Sequence, residues 1–172
     1  MFVKVCCIRD LAEARLAVSA GAAAVGLVSE MPSGPGPIAE ELIAEIAAAV
    51  PRPTETFLLT ARRDAEAIAE QHRRCGTTAL QLVDQVAASE LRRLRGLLPG
   101  VRLVQVVHVG GEDSVEEARS VAGLVDTLLL DSGNPRLPVK ELGGTGRVHD
   151  WAHSRRIREL VHVPVLLAGG LH

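Results

Sequence analysis

Two residues suited to proton transfer stand immediately after apolar runs of the sequence. Cys6 follows the first apolar run, and Asp131 follows a run of three leucines. A carboxyl at the end of an apolar strand lies in a partly desolvated site, which suits a general acid. A thiol there can act as a general base if a cation such as Lys4 or Arg9 stabilises the thiolate. The simpler alternatives are a capping or loop aspartate and a small buried hydrophobic cysteine.

Glycines gather in two segments, LGGTG at residues 142–146 and LAGGL at residues 167–171. Backbone N–H groups at glycines can hold a phosphate, and barrel enzymes often form a phosphate site from their last loops. A plain turn is the simpler interpretation of each segment. The candidate phosphate-binding residues are Gly143, Gly144, Gly146, Gly169 and Gly170.

Histidines supply the remaining candidate chemistry. His149 and His153 are four residues apart at a predicted helix start, a spacing that zinc ligands can have. No third ligand is in register with them, so a solvated helix face is favoured and no metal site is predicted. His108 ends a predicted strand and is a weaker candidate for the same edge of the sheet.

The composition excludes several classes of protein. The chain has 172 residues, 47% of them hydrophobic and 23% charged, and a net charge of -2, which is typical of a soluble globular protein. There is no basic excess for nucleic acid, no apolar run near the roughly 20 residues that span a membrane, and no signal-peptide pattern. These observations predict a cytoplasmic protein with three free cysteines.

Short β-rich runs alternate with stretches of helical periodicity along the whole chain. This alternation predicts parallel β-α units in one domain spanning residues 1–172. The predicted strands are residues 2–5, 24–28, 56–59, 78–83, 102–107, 127–130 and 163–168. The predicted helices are residues 10–19, 38–50, 64–74, 88–98, 114–121 and 150–160.

The choice of architecture lies between an open doubly wound sheet and a closed barrel. The first β-α turn, VCCIRDL, lacks the glycine fingerprint of an open dinucleotide-binding sheet, so an α/β fold of the (β/α)8 TIM-barrel type is favoured. In such a barrel the chemistry sits at the C-terminal ends of the strands. Two irregular segments, residues 29–37 and 131–148, are the candidate active-site loops.

Three segments together resemble the phosphoribosylanthranilate isomerase family. KVCCIRDLAEARLAVSAGAAAVGLV resembles its first β-α-β unit, with the catalytic cysteine after the first strand. LLLDSGNPRLPVKELGGTGRVHDW resembles its Leu-Leu-Asp strand, its glycine loop and its Phe-Asp-Trp sequence. VPVLLAGGL resembles its seventh strand and phosphate loop. The segments occur in the family's order and cover nearly the whole chain.

The resemblance implies an Amadori rearrangement of N-(5'-phosphoribosyl)anthranilate in tryptophan biosynthesis, without metal or organic cofactor. Asp131 would match the family's general acid and Cys6 its general base. Gly169 and Gly170 would donate backbone N–H groups to the substrate phosphate, and the loop of Gly143 to Gly146 would help to close the site.

Four positions depart from the family pattern. Cys7 replaces a glycine, the loop SEMPSGPGPI has no Arg or Lys, the Gln81–Asp84 segment lacks the family's histidine, and the third strand, ETFLLT, lacks the family's glycine. These departures concern the substrate more than the proton-transfer chemistry. The alternatives are a catalytically silent relative with a phosphate-binding or structural role, and another phosphate-binding barrel enzyme acting on a sugar or indole-pathway intermediate.

The length predicts an incomplete barrel of about seven strands and six helices, because a full barrel needs eight β-α units and at least about 200 residues. The eighth unit is expected to be missing, together with its phosphate-binding loop. Exposed edges on the first and seventh strands would then favour a homodimer that covers them.

Overall fold

The computed structural model describes residues 1–143 and 150–170, in which strands and helices alternate as predicted. Seven parallel strands form one sheet whose spatial order equals their order in the chain. The strands are β1 Lys4–Val5, β2 Ala24–Val28, β3 Glu55–Thr60, β4 Ala79–Leu82, β5 Arg102–His108, β6 Thr127–Asp131 and β7 Val165–Leu167. The helices are α1 Leu11–Ser19, α2 Glu40–Ala49, α3 Ala65–Cys75, α4 Ala88–Leu97, α5 Glu112–Ala122 and α6 Trp151–Leu160.

The sheet curls into part of a barrel with an apolar core on each face. Side chains alternate between the two faces of a strand, so one residue in two points inward. Leu128 and Leu130 of β6 pack against the helices, whereas Leu129 packs inside the barrel with Phe57. The fold class predicted from the sequence is therefore confirmed for the seven strands and six helices of the described ranges.

Capping residues fix the ends of several helices. The Asp10 side chain accepts a hydrogen bond from the Glu13 N–H at 2.8 Å, and Gly76 ends α3 in the left-handed conformation with φ 64°. Two predicted starts are wrong by two residues. Helix α2 begins after Ile38, whose N–H instead donates to Val28 O, and α5 begins before Ser114, whose hydroxyl donates to Gly111 O.

Within the described ranges, none of the helices has the length and apolar character needed to cross a membrane. The two outer strands of the sheet are β1 and β7. Val5 of β1, Leu167 of β7 and Val3, just before β1, have exposed apolar side chains.

Candidate active site

Cys6 and Asp131 line the same cavity, which has a volume of about 210 Å³. Cys6 directly follows β1, and Asp131 is the last residue of β6. Because all the strands are parallel, their C-terminal ends meet at one rim of the sheet. The structure thus brings together the two residues for which the sequence predicted proton transfer, although 125 positions separate them in the chain.

The position of Cys6 depends on a glycine in the neighbouring strand. Lys4 pairs with Ala24 and Val5 with Val25, so the next residue, Cys6, comes opposite Gly26. A Cβ on Gly26 would lie 2.8 Å from Cys6 Sγ and 3.2 Å from Cys6 Cα. Gly26 therefore provides the space that the thiol occupies at the inner face of the sheet.

Lys4 places a positive charge beside the Cys6 thiol. Its Nζ lies 2.7 Å from Cys6 Sγ and 2.7 Å from Gln81 Oε1. The ammonium group also lies 5.3 Å from the centre of the Phe57 ring, which is within range of a cation–π interaction. The thiol that follows β1, the amide of β4 and the ring of β3 thus surround one ammonium group.

Asp131 is largely buried, with 9% of its surface exposed. Its Oδ1 accepts a hydrogen bond from the Ser132 N–H at 2.7 Å. The carboxyl lies against two of the predicted phosphate-binding glycines. A Cβ on Gly169 would lie 2.8 Å from Oδ1, and one on Gly143 would lie 3.0 Å from Oδ2. Both glycines therefore leave room for the carboxyl group.

The candidate phosphate-binding glycines are only partly described by the structure. Gly143 and Gly169 line the cavity with Cys6 and Asp131. Gly170 follows Gly169, and both have positive φ angles, 80° at Gly169 and 61° at Gly170. Gly144 and Gly146 lie outside the described residues. A role of these glycines in binding phosphate stays a prediction.

The two candidate active-site loops meet above the cavity. The Ser33 hydroxyl of the loop after β2 donates to Lys140 O in the loop after β6. Met31, Gly34 and Pro35 contribute further to the cavity lining. The loop after β2 brings no cation to this lining, since it contains no Arg or Lys.

Cys7 has a φ of 60°, in the left-handed region that glycine adopts more easily than other residues. The family that the sequence resembles has glycine at this position. Its thiol lies 3.6 Å from Pro35 O, and a Cβ on Gly36 would lie 2.8 Å from Cys7 Cβ. Burial raises the pKa of the Cys7 thiol, and the neighbouring Cys6 raises it further. The raised pKa makes the Cys7 thiol a poor candidate for a base that acts as a thiolate.

None of the histidines within residues 1–143 and 150–170 lines this cavity. His108 is level with Asp131 in the sheet, but its Nε2 lies 2.9 Å from Val83 O and its ring lies against Gly133. His153 lies near the carboxylates of Glu112 and Asp150, and His149 lies outside the described residues.

The described residues include one cluster of three acidic side chains, Asp64, Glu66 and Glu90. Arg93 forms ion pairs with both glutamates of this cluster, and the Asp64 side chain caps α3. These contacts account for the cluster without a metal ion. Cys6, Cys7 and Cys75 are free thiols, as predicted.

Sequence reasoning did not assign roles to Gly26 or to the hydrogen bond between Gln81 and Lys4. Alternation along β1 and β4 could have indicated that Lys4 and Gln81 face the interior with Cys6. The neighbour of Cys6 could not be found in this way, because it depends on the pairing register between two strands.

No protein-family model matches the chain. The chain is, however, 31% identical over 169 residues to N-(5'-phosphoribosyl)anthranilate isomerase of Methanocella arvoryzae. The alignment covers 98% of this chain and 77% of the relative. The chain belongs to the phosphoribosylanthranilate isomerase family.

Solved structures of phosphoribosylanthranilate isomerases share the fold described above. The enzyme of Thermotoga maritima superposes with a TM-score of 0.82 at 25% identity, over 99% of this chain and 78% of that chain. A phosphoribosyl anthranilate isomerase in complex with reduced 1-(o-carboxyphenylamino)-1-deoxyribulose 5-phosphate superposes with a TM-score of 0.78 at 23% identity, over 99% and 76%. The family and the barrel type predicted from the sequence are confirmed.

Proposed function

We propose that this protein is a phosphoribosylanthranilate isomerase of tryptophan biosynthesis that uses Asp131 as general acid and Cys6 as general base. The substrate is N-(5'-phosphoribosyl)anthranilate, and the product is 1-(2-carboxyphenylamino)-1-deoxyribulose 5-phosphate. The observation that carries the proposal is the shared cavity of Cys6 and Asp131 at the C-terminal rim of the sheet. Family membership supports the choice of reaction.

Asp131 begins the reaction by donating its proton to the ribose ring oxygen. The C1'–O bond then breaks, and the nitrogen lone pair forms the C1'=N bond of a protonated Schiff base. The burial of Asp131 and its position among backbone groups suit a carboxyl that exchanges a proton with a bound sugar.

Cys6 completes the rearrangement as its thiolate. It removes the proton from C2', and the electrons of that C–H bond move towards the iminium nitrogen to give an enaminol. Tautomerisation to the ketone yields the product. One acid and one base are sufficient for this aldose–ketose isomerisation, which requires no metal or organic cofactor.

The substrate phosphate binds, in this proposal, at the backbone N–H groups of Gly169 and Gly170. Gly143 lines the cavity and would help to close the site in this proposal, whereas Gly144 and Gly146 lie outside the described residues. Gly169 lines the cavity and lies against the Asp131 carboxyl, so the proposed phosphate-binding residue is in direct contact with the proposed general acid.

Several further expectations from the sequence stay predictions. They are a cytoplasmic location, a single domain, no nucleic-acid partner, and a homodimer that covers the outer strands. The exposed apolar side chains of Val3, Val5 and Leu167 are consistent with the last of these.

An anthranilate fluorescence assay tests the proposal on purified protein. Asp131→Asn and Cys6→Ser should each lower kcat by about 100-fold or more, as expected for loss of a general acid or base. Circular dichroism should show that both variants remain folded. Asp113→Asn is the matched control for the carboxyl, because Asp113 is exposed on α5 and pairs with Arg136.

Two results would contradict the proposal. Turnover unaffected by both substitutions would overturn the assignment of the residues. A folded wild-type protein that binds ribose 5-phosphate but does not convert the substrate would favour the alternative, a catalytically silent relative with a phosphate-binding role.

A further inference from the structure

We propose that Lys4 is the positioning residue that maintains Cys6 as a thiolate and aims it into the cavity. This inference rests on the proposed role of Cys6 as the base. It adds a charged partner for the base, on the strand that ends immediately before it.

Two hydrogen bonds hold the Lys4 ammonium group in place. The ammonium group donates to Cys6 Sγ and to Gln81 Oε1, each at 2.7 Å. Gln81 is 5% exposed and belongs to β4, so the sheet holds its backbone and its side chain is shielded from water. A charge-assisted hydrogen bond from an ammonium stabilises a thiolate far more than a neutral thiol.

The surroundings of the pair strengthen this effect. Phe57 is fully buried, and the Lys4 ammonium lies over its ring. The Cys6 thiol itself is exposed, but the ring keeps water from one side of the ammonium group, so the attraction between ammonium and thiolate is screened less than it would be with water on all sides. The face of the ring also attracts the cation and helps to hold it beside Cys6.

No other described cation competes for this role. Arg9 is the other basic residue close in sequence, but its Nε donates to Glu13 at 2.9 Å and its side chain is exposed. Among the described residues that line the cavity, Lys4 is the only Lys or Arg. The loop after β2, where the family carries a basic residue, has none.

The proton transfer in the proposed reaction is compatible with this position of Lys4. The C2' proton moves to the Cys6 thiolate, which becomes a neutral thiol, while Lys4 keeps all three of its protons. Gln81 then holds the ammonium in place as the charge on sulfur disappears. Lys4 thus acts through Cys6, without touching the reacting carbon.

Alkylation of Cys6 tests this role without requiring turnover. The experiment uses Cys7→Gly/Cys75→Ala protein, in which Cys6 is the only thiol, and measures its modification by iodoacetamide at pH 7 by mass spectrometry. Lys4→Met should slow this alkylation about tenfold or more, because only the thiolate reacts. Lys4→Arg should restore most of the rate.

The kinetic constants provide the second readout. Lys4→Met should lower kcat by a factor similar to its effect on alkylation and should change KM less. Arg9→Met is the matched control, because it removes a nearby cation that is paired with Glu13, and it should leave alkylation unchanged.

Alkylation of the Lys4→Met protein at or above the parent rate would overturn the inference. That result is expected if Lys4 has only a structural role, because its loss would then make Cys6 more accessible without changing the thiolate. If Lys4→Met slows alkylation but the wild-type protein shows no isomerase activity, the thiolate role of Lys4 stands and the proposed function fails. The two failures are therefore distinguishable.

Discussion

Cys6 Sγ fills the space above Gly26, where a Cβ would lie only 2.8 Å from the sulfur atom. Gly26→Ala should therefore push the thiol away from the cavity or force β1 and β2 apart. We expect kcat to fall by about 100-fold, because a displacement of about 1 Å can cost that much. Overpacking should also lower the free energy of unfolding by about 1–3 kcal/mol. Steady-state assays and urea denaturation measure the two effects.

Gly96→Ala is the control for that substitution. Gly96 lies on the exposed side of α4, and a Cβ there would meet no atom within 4 Å. The change should raise the free energy of unfolding by up to about 1 kcal/mol, since alanine favours helix, and it should leave kcat unchanged. Equal effects of the two substitutions on kcat would refute the steric role of Gly26.

Cys7→Gly should stabilise the protein, because Cys7 has a φ of 60°. Relief of the left-handed conformation is worth about 1–2 kcal/mol, of which about 0.5–1 kcal/mol is lost to the greater flexibility of glycine in the unfolded chain. Cys7→Ala keeps the Cβ and should give no such gain. Denaturant midpoints of the two variants check this, and an alanine variant as stable as the glycine variant would contradict it.

Gly169→Ala should impair the proposed acid. The added Cβ would lie 2.5 Å from Ser132 Oγ and 2.8 Å from Asp131 Oδ1, so the carboxyl must move. We expect kcat to fall by about tenfold or more, together with weaker binding of substrate. Single-turnover and steady-state measurements separate these effects. A rise in KM with unchanged kcat would show that Gly169 serves the substrate but does not position Asp131.

Stability should decrease below neutral pH in part because of His72. Burial lowers the pKa of His72 below its ordinary value of 6.5, and its Nε2 lies 2.7 Å from Thr77 O. As the pH falls below 6.5, the unfolded chain binds a proton that the folded protein resists, so the free energy of unfolding decreases. His72→Gln should flatten this decrease between the lowered folded pKa and 6.5. Urea unfolding at a series of pH values measures the slope, and an unchanged slope would contradict the assignment.

Cys75 should resist alkylation in the native protein. Burial raises its pKa to about 11, and its side chain is inaccessible. Iodoacetamide at pH 8 should modify the exposed Cys6 first and should reach Cys75 only after unfolding in urea. Peptide mass spectrometry distinguishes the sites, and rapid native modification of Cys75 would show that α3 opens locally.

The alternation of strands and helices was readable from the sequence, because burial on both faces of a parallel sheet requires apolar runs between amphipathic helices. The strand ends were equally readable, and they directed attention to Cys6 and Asp131. The predicted starts of α2 and α5 were wrong, because local hydrogen bonds of Ile38 and Ser114 determine where these helices begin.

By itself the sequence determined the family, the barrel type and the pair of residues proposed for proton transfer. Only the tertiary structure decided what surrounds that pair. The space at Gly26, the Lys4–Gln81 contact and the position of Gly169 against Asp131 depend on strand register and sheet curvature. These are set by packing between segments distant in the chain, and a local pattern of residues does not contain that information.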